Sequence, residues 1–285
     1  MLFSKPTKAS LDAAVTRYLP AAQAAGCFSA LEGLSGTSYR VVSEGECFAA
    51  RRLPDARLPG ISLQRHYRAL KRLPAGIAPK PYCLAEGWLF TRWLDGEVSP
   101  NLAPLTELTS LLYYLHRQPC FGWRINLVPL LEYYWQVSSP KRRTLSWLRE
   151  LKRLKRRKEP RPLRLAPLHM DVHAGNLVRQ GEKLGLIDWE YAGDGDIALE
   201  LAAVQAANVV DGEALLGLYA GHASLCVERL RRQVARWQPW IALLMASWYE
   251  CRWQQTGEQN FITLADDAWR ALRAMKHQER VLWAQ

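Results

Sequence analysis

Three polar residues near the middle of the chain, Asp171, Asn176 and Asp188, have the types and the spacing that phosphoryl transfer requires. Asp171 and Asn176 are five positions apart in the run H-M-D-V-H-A-G-N, and Asp188 follows a short apolar run. In kinase-like transfer an Asp accepts the proton of the substrate hydroxyl, while the Asn five residues later and a further Asp hold the metal. Carboxylate and carboxamide oxygens also suit Mg²⁺ that is shared with phosphate. The spacing therefore predicts Asp171 as the catalytic base and Asn176 and Asp188 as magnesium ligands.

A polar hairpin without catalytic function would also contain such residues, because His-x-Asp and Asp-Trp pairs are common. Three further features favour catalysis: a downstream strand that ends in Asp188, a hairpin of suitable length before it, and enough upstream chain for a nucleotide-binding lobe. His169 is predicted to brace the loop rather than to react. His173 stands where protein kinases place a lysine, and it is predicted to contact the γ-phosphate or to fix the loop by hydrogen bonds.

The segments L-H-M-D-V-H-A-G-N-L-V and L-I-D-W-E-Y-A resemble the aminoglycoside phosphotransferase and choline kinase family. The pattern of that family reads H-G-D-h-H-x-G-N-h and h-D-W-E, where h is an apolar residue. The resemblance covers nearly the whole chain and is weakest before residue 30. It implies an α+β, bilobal, protein-kinase-like fold, with ATP as co-substrate and Mg²⁺ as cofactor. The small N-terminal lobe with an antiparallel sheet would span residues 1–95, and the larger, mainly helical C-terminal lobe residues 96–285.

A glycine-bearing turn between two extended runs is the candidate phosphate loop. Backbone N–H groups in such a turn can approach a phosphate, although an ordinary hairpin turn has the same sequence features. The resemblance implies that this loop covers the ATP phosphates. The strand at 88–91 leads into a segment interpreted as the hinge, where backbone groups near Arg92 and Leu94 would meet adenine and the lobe would end at Gly96. The loop residues are Ser35, Gly36, Thr37 and Ser38.

Arg51, at the end of the third predicted strand, is the candidate cation for the α- and β-phosphates, with Arg52 as the alternative. Arginine suits bidentate phosphate contact, whereas the plainer interpretation is a surface arginine. Related kinases usually supply a Glu from the following helix to pair with this cation. Here the helix predicted over 62–73 offers Gln64, Arg65 and His66 instead. The sequence therefore leaves the partner of Arg51 open.

The rest of the chain is predicted to be mostly helical, with apolar residues at helical spacing. The basic segment 141–164 has leucines every three residues and lysines and arginines around them, which favours an amphipathic helix with a solvated basic face. A nucleic-acid patch or a membrane-surface helix is the alternative. The predicted helices cover residues 10–25, 62–73, 102–116, 127–135, 197–207, 212–225, 227–237, 239–255 and 261–283.

The 285 residues carry a formal net charge of +11 and a pI of about 9.5, which favours anionic partners such as a nucleotide. The six cysteines form neither a zinc pattern nor a disulfide framework. We see no signal peptide and no run of about 20 apolar residues that would span a membrane. The positive charge would also suit nucleic acid or an acidic membrane surface. We expect a cytoplasmic protein that is a monomer, with nucleic acid an unlikely partner and no membrane partner.

Twelve tryptophans, several of them beside acids, suggest an aromatic and acidic pocket for a cation. Thiamine fits such a pocket, because it has a thiazolium cation, a stackable pyrimidine and a primary alcohol to phosphorylate. Choline or an aminoglycoside is the alternative substrate. Two other classes of function remain, a nucleic-acid-binding protein and a scaffold that binds nucleotide without transfer. The predicted substrate residues are Trp189, Glu190, Trp248 and Glu250.

Overall fold

The computed structural model describes residues 11, 14–15, 17–19, 28–30, 38–52, 58–98 and 101–283, and only the backbone of residues 28–30 and 275–283. Ser35, Gly36 and Thr37 of the predicted phosphate loop lie outside these residues. The chain forms two compact units of two segments each. The first unit is Met1–Trp123 with His169–Gly193, and the second is Arg124–Leu168 with Asp194–Gln285. The lobe boundary predicted at Gly96 stays a prediction.

The strands of the described residues belong to three sheets with the orders β1-β2-β3-β5-β4, β6-β8-β9 and β10-β7. The first two sheets lie in the first unit, and all pairings within them are antiparallel. The strands are β1 (Phe28–Ala30), β2 (Ser38–Ser43), β3 (Glu46–Arg51), β4 (Pro81–Ala85), β5 (Trp88–Arg92), β6 (Glu97–Val98), β7 (Leu165–Leu168), β8 (Leu177–Gln180), β9 (Lys183–Leu186) and β10 (Gly193–Asp196).

The α-helices of the described residues alternate with these strands in the first unit and dominate the second. The predicted N-terminal helix is helical at residues 11, 14, 15, 17 and 18; Leu19 is described and not helical, and the remaining residues of the prediction lie outside the described ones. The helices are α1 (Leu63–Arg72), α2 (Leu105–His116), α3 (Leu127–Val137), α4 (Leu145–Arg157), α5 (Ile197–Ala207), α6 (Gly212–Ala223), α7 (Val227–Thr256) and α8 (Gln259–Trp283).

The five-stranded sheet is held by one apolar core. Successive side chains of a strand point to opposite faces, so Val41, Phe48 and Phe90 share a face, and all three are buried. Leu11 and Val15 of the N-terminal helical residues pack into the same core. The first unit therefore has the antiparallel sheet that the sequence predicted.

Gly96 precedes β6 in a conformation open only to glycine, with a φ of +138°. A Cβ at this position would overlap the backbone oxygen of Arg179 in β8 and the side chain of Val178. The short antiparallel contact between β6 and β8 depends on this glycine. Strand β8 directly follows the catalytic loop. The β6–β8 pairing therefore joins the segment after the predicted hinge to the strand that leaves this loop.

Helix α7 continues through Pro239, so the prediction of two helices that end at 237 and begin at 239 was wrong. An interior proline lacks the backbone N–H and costs about 3 kcal/mol. Trp237, Trp240 and Ile241 are buried on both sides of the proline, and their burial offsets that cost. Sequence rules predict that a helix ends at proline, because proline lacks a hydrogen-bond donor. The packing that compensates for this loss can be seen only in the folded structure.

The basic segment forms an amphipathic helix, α4, which buries Trp147, Leu151 and Leu154. Most of its lysines and arginines are exposed, in agreement with the interpretation as a solvated basic face. Within the described part of the chain, no helix combines the length and the apolar composition needed to cross a membrane.

Candidate active site

His169 is fully buried at the start of the catalytic loop. Its Nδ1 accepts a hydrogen bond from the backbone N–H of Asp171 at 3.2 Å, so its Nε2, 2.8 Å from the carbonyl oxygen of Ile187, is the donor there. The ring packs edge-on against Trp189, with 4.5 Å between the ring centroids. His169 thus ties the loop to the segment before Asp188, which is the bracing role predicted for it.

Asp171, His173 and Asn176 lie together in this loop. The side-chain nitrogen of Asn176 donates to the backbone oxygen of Asp171 at 2.9 Å and to its Oδ2 at 3.0 Å. His173 Nε2 is 3.8 Å from Asp171 Oδ1, which is an ion-pair distance rather than a hydrogen bond. His173 Nδ1 accepts from the backbone N–H of Gly175 at 3.1 Å, and a short 3₁₀ turn over Ala174–Asn176 completes the loop.

The charges of this loop keep Asp171 ionised. Burial pushes the pKa of Asp171 upward, but His173, His169 and the Asn176 amide outweigh it and hold the pKa below its ordinary value. The same contact with Asp171 raises the pKa of His173, against the effect of burial. Asp171 is therefore a carboxylate at neutral pH, able to accept a hydrogen bond from a hydroxyl.

The β8–β9 hairpin brings Asp188 next to this loop. Leu177 pairs with Leu186, and the backbone N–H of Ile187 donates to the oxygen of Asn176 at 3.0 Å. Asp188 itself has a left-handed backbone with a φ of +66°, and Met170 has one with a φ of +70°. Non-glycine residues rarely adopt this conformation, and strain of this kind is concentrated at functional sites.

Arg51 is the centre of a partly buried ion cluster in the first unit. Its Nη2 lies 2.8 Å from Asp188 Oδ1 and 2.8 Å from Glu190 Oε2. Burial disfavours the charge of Arg51, but the two carboxylates raise its pKa above the ordinary value. Ser38, the described residue of the predicted phosphate loop, lies directly opposite Arg51 in the β2–β3 pairing. The acidic partner that α1 does not supply is therefore supplied by Glu190.

Sequence reasoning had assigned Glu190 to the substrate and had left the partner of Arg51 open. The available signal was the position of Glu190 two residues after Asp188, in the motif D-W-E. Residues 51 and 190 are far apart in the chain, so only the fold joins them.

The donor set fits Mg²⁺. Because the nitrogen of the Asn176 side chain faces Asp171, its oxygen is the atom left to bind a metal. Burial raises the pKa of Glu190, and the negative charges of Asp188 and Asp171 add to this effect. The Asp188 carboxylate and the Asn176 oxygen are hard oxygen donors of the kind that Mg²⁺ prefers. The described residues contain no group of three or more His, Cys, Asp or Glu placed to hold a metal by themselves.

His66 of α1 is buried near Arg51, and its Nδ1 has no hydrogen-bond partner among the described residues. Burial, followed by the charges of Arg51 and His169, lowers the pKa of His66 well below its ordinary value. The folded protein therefore keeps His66 neutral, whereas the unfolded chain binds a proton there near pH 6.5. Proton binding by the unfolded state alone makes stability fall as the pH drops below that value.

We expect the free energy of unfolding to fall by about 1 kcal/mol through His66 between pH 7.5 and pH 5.5. Urea unfolding at the two pH values measures this loss. His66→Gln should lack it, whereas His222→Gln, at an exposed histidine of α6, should keep the wild-type pH dependence. An unchanged pH dependence in His66→Gln would contradict the assignment of a neutral His66.

Of the residues predicted for the hinge, Arg92 is the last residue of β5 and Leu94 lies two positions after it. The backbone N–H of Arg92 donates to the oxygen of Lys80 at 2.8 Å, and its half-exposed side chain pairs with Glu46. The side chain of Leu94 lies 2.8 Å from the position that a Cβ would take at Gly185. Contact of these backbone groups with adenine stays a prediction.

The residues predicted to contact the substrate differ in how deeply they are buried. Trp189 is fully buried, and its Nε1 donates to the oxygen of Leu186 at 2.8 Å. Glu250, in the second unit, is buried and accepts hydrogen bonds from Arg142 at 2.8 and 3.0 Å and from Trp269 at 2.9 Å. The substrate role of both stays a prediction, and their burial gives it no support. Trp248 is partly exposed.

The comparisons with a family profile and with known sequences both indicate a family of phosphotransferases. The profile of the phosphotransferase enzyme family APH matches residues 28–240. Thiamine kinases of Escherichia coli O157:H7 and of Shigella dysenteriae serotype 1 are each 52% identical to this chain over 272 residues. The matches cover 95% of this chain and 98% of each relative.

Comparison with solved structures gives the same fold at low identity. The choline kinase LicA from Streptococcus pneumoniae superimposes with a TM-score of 0.69 at 15% identity, covering 87% of this chain and 93% of that chain. A choline/ethanolamine kinase family protein from Mesorhizobium loti has a TM-score of 0.66 at 20% identity, covering 93% and 94%. The fold is therefore protein-kinase-like and α+β, with an N-terminal antiparallel sheet and a mostly helical C-terminal part, as the sequence predicted.

Proposed function

Because the chain belongs to the phosphotransferase enzyme family APH, we propose that it transfers the γ-phosphoryl group of ATP to the primary hydroxyl of thiamine. The observation that carries this proposal is the 52% identity to thiamine kinases along nearly the whole chain. The convergence of Asp171, Asn176 and Asp188 in the first unit supports the same chemistry. We place the reaction in the cytoplasm and assign it to a monomer, from the composition of the chain.

Asp171 orients the acceptor hydroxyl and accepts its proton. Its lowered pKa makes it a weak base, which suits a loose transition state in which the hydroxyl proton leaves late. The hydrogen bond from Asn176 fixes the carboxylate before substrate binds, so little reorganisation is needed during transfer. The contact with Asp171 raises the pKa of His173, which favours its protonated form beside the carboxylate, where the γ-phosphate would pass.

Asn176 and Asp188 would hold Mg²⁺ together with phosphate oxygens. When bound, the metal neutralises phosphate charge and aligns the phosphates for in-line transfer. Arg51 would contact the α- and β-phosphates. Asp188 and Glu190 hold its guanidinium at the end of β3.

Glu190→Gln is expected to lower kcat/KM for ATP by about tenfold or more, because Arg51 loses one of its two carboxylate partners. Steady-state kinetics at varied ATP, and separately at varied Mg²⁺, measure the effect. If Glu190 positions Arg51, the KM for ATP rises while the Mg²⁺ concentration for half-maximal rate stays unchanged. Glu182→Gln removes the same charge at the exposed tip of the β8–β9 hairpin and should behave like wild type. A normal KM for ATP in Glu190→Gln would contradict the positioning role.

The identity of the acceptor is tested by ADP release with thiamine, choline, ethanolamine and kanamycin at equal concentrations. Thiamine should give the highest kcat/KM, and mass spectrometry should detect thiamine monophosphate. Faster turnover with choline or kanamycin would identify that alcohol, and not thiamine, as the preferred acceptor. The assignment as a kinase would stay intact. ADP release with none of the four alcohols, from a folded protein that binds ATP, would count against phosphoryl transfer to small alcohols.

A further inference from the structure

A cavity of about 320 Å³ in the second unit is lined mainly by arginines. Arg161 precedes β7, whereas Arg229, Arg232 and Arg236 belong to α7. Among the described residues, no acidic side chain and no aromatic ring lines the cavity. Its volume is at the lower end for small-molecule sites, and its charge is entirely positive. We call this cavity the arginine pocket.

The three arginines of α7 share one face of the helix, because positions 229, 232 and 236 recur at helical spacing. In the described part of the chain, none of the four arginines of the pocket forms an ion pair with a carboxylate, whereas the neighbouring Arg231 pairs with Glu213. Arg229 also lies in the first turn of α7, where the positive end of the helix dipole disfavours a cation. All four arginines are exposed to solvent, so their guanidinium groups are accessible to a ligand.

A buried hydrogen-bond network fixes the wall of the arginine pocket. The buried Gln233 donates through Nε2 to the backbone oxygen of Arg161 at 2.8 Å and to Asp196 Oδ2 at 2.6 Å. Its oxygen accepts from Arg236 Nη1 at 3.3 Å, which orients that guanidinium. Asp196 is held in turn by the indole N–H of Trp237 at 2.9 Å. The network therefore fixes the backbone at Arg161 and orients the guanidinium of Arg236 before any ligand enters, which lowers the entropic cost of binding on that wall.

We propose that the arginine pocket binds the phosphate groups of a small polyphosphorylated molecule. Guanidinium groups stay charged at all physiological pH values and match phosphate oxygens two at a time. The concave shape fits a compact anion. The lack of aromatic lining argues against single-stranded nucleic acid, which needs rings on which its bases stack. Neither the catalytic residues nor the residues predicted to contact the substrate line the pocket, so this ligand would bind in addition to the substrates of the transfer.

Isothermal titration of the full-length protein with inorganic pyrophosphate, in Mg²⁺-free buffer, tests the proposal. The double variant Arg229→Gln/Arg232→Gln is compared with Arg156→Gln/Arg157→Gln, which removes the same charge from exposed positions of α4. Wild type and control should bind pyrophosphate with equal affinity, and the pocket variant about tenfold or more weakly. The basal rate of the transfer reaction should be the same in all three proteins.

Equal pyrophosphate affinity in the three proteins would overturn the proposal, and so would equal weakening in both double variants, which would indicate a general charge effect. A parallel titration with a duplex oligonucleotide tests whether the same surface binds nucleic acid. If only the affinity for the oligonucleotide changes in the pocket variant, the surface binds nucleic acid and the proposal fails. Arg161→Gln, on a different segment of the pocket wall, is the second variant and should also weaken pyrophosphate binding without loss of melting temperature.

Discussion

Asp171→Asn is expected to lower kcat about 10³-fold while the KM for ATP stays within about twofold of wild type. The Asn oxygen can still accept the hydrogen bond from Asn176, so the loop keeps its conformation. The amide lacks the negative charge that orients the acceptor hydroxyl and receives its proton. Coupled ADP-release kinetics, with ATP binding measured separately by titration, distinguish a loss of chemistry from a loss of binding.

The matched control for this variant is Asp267→Asn, which removes one carboxylate from an exposed position of α8 and should leave kcat unchanged. Turnover of Asp171→Asn within tenfold of wild type would contradict the role of Asp171. A parallel fall in melting temperature would instead assign the carboxylate a structural role in the loop.

Asp188→Asn should lower kcat/KM for ATP by about 10³-fold and raise the Mg²⁺ concentration needed for half-maximal rate. Asparagine tolerates the left-handed backbone at this position as aspartate does, so the turn should persist. Arg51 keeps its contact with Glu190, so the free energy of unfolding should change by less than about 1 kcal/mol. Magnesium titrations of the rate and urea unfolding measure the two effects.

Asp188→Ala provides the contrast, because alanine removes the same carboxylate but does not tolerate the left-handed backbone. It should lose activity to the same extent and also lose about 1–2 kcal/mol of stability. A wild-type Mg²⁺ response in Asp188→Asn would exclude Asp188 as a metal ligand.

The local part of the candidate site could be predicted from the sequence, because residue spacing determines it. Five positions separate Asp171 from Asn176, and a short hairpin brings the chain back to Asp188, so these residues converge by local geometry. The bracing by His169 follows from the same loop. The helices likewise follow from periodicity, apart from α7, which was predicted as two helices separated at Pro239, whereas the antiparallel sheet was implied by the family resemblance.

The long-range part could not be predicted, because it depends on contacts between distant segments. The pairing of Arg51 with Glu190 joins residues 139 positions apart. A helix without an acid at the expected position indicates only that the partner lies elsewhere. The contacts of Glu250 with Arg142 and Trp269 could not be predicted either. An acidic residue beside tryptophans gives the same sequence pattern whether it lines a pocket or lies in the core.

Each unit is made of two segments, and this interleaving sets the earliest point at which the catalytic centre can form during synthesis. Unit one is complete only when His169–Gly193 has left the ribosome, by which time Arg124–Leu168 of the other unit has already emerged. No truncated product that stops before residue 193 contains the whole of unit one. Translation arrest or nonsense mutation in the first two thirds of the coding sequence should therefore yield fragments that expose unpaired apolar surface rather than a minimal active kinase.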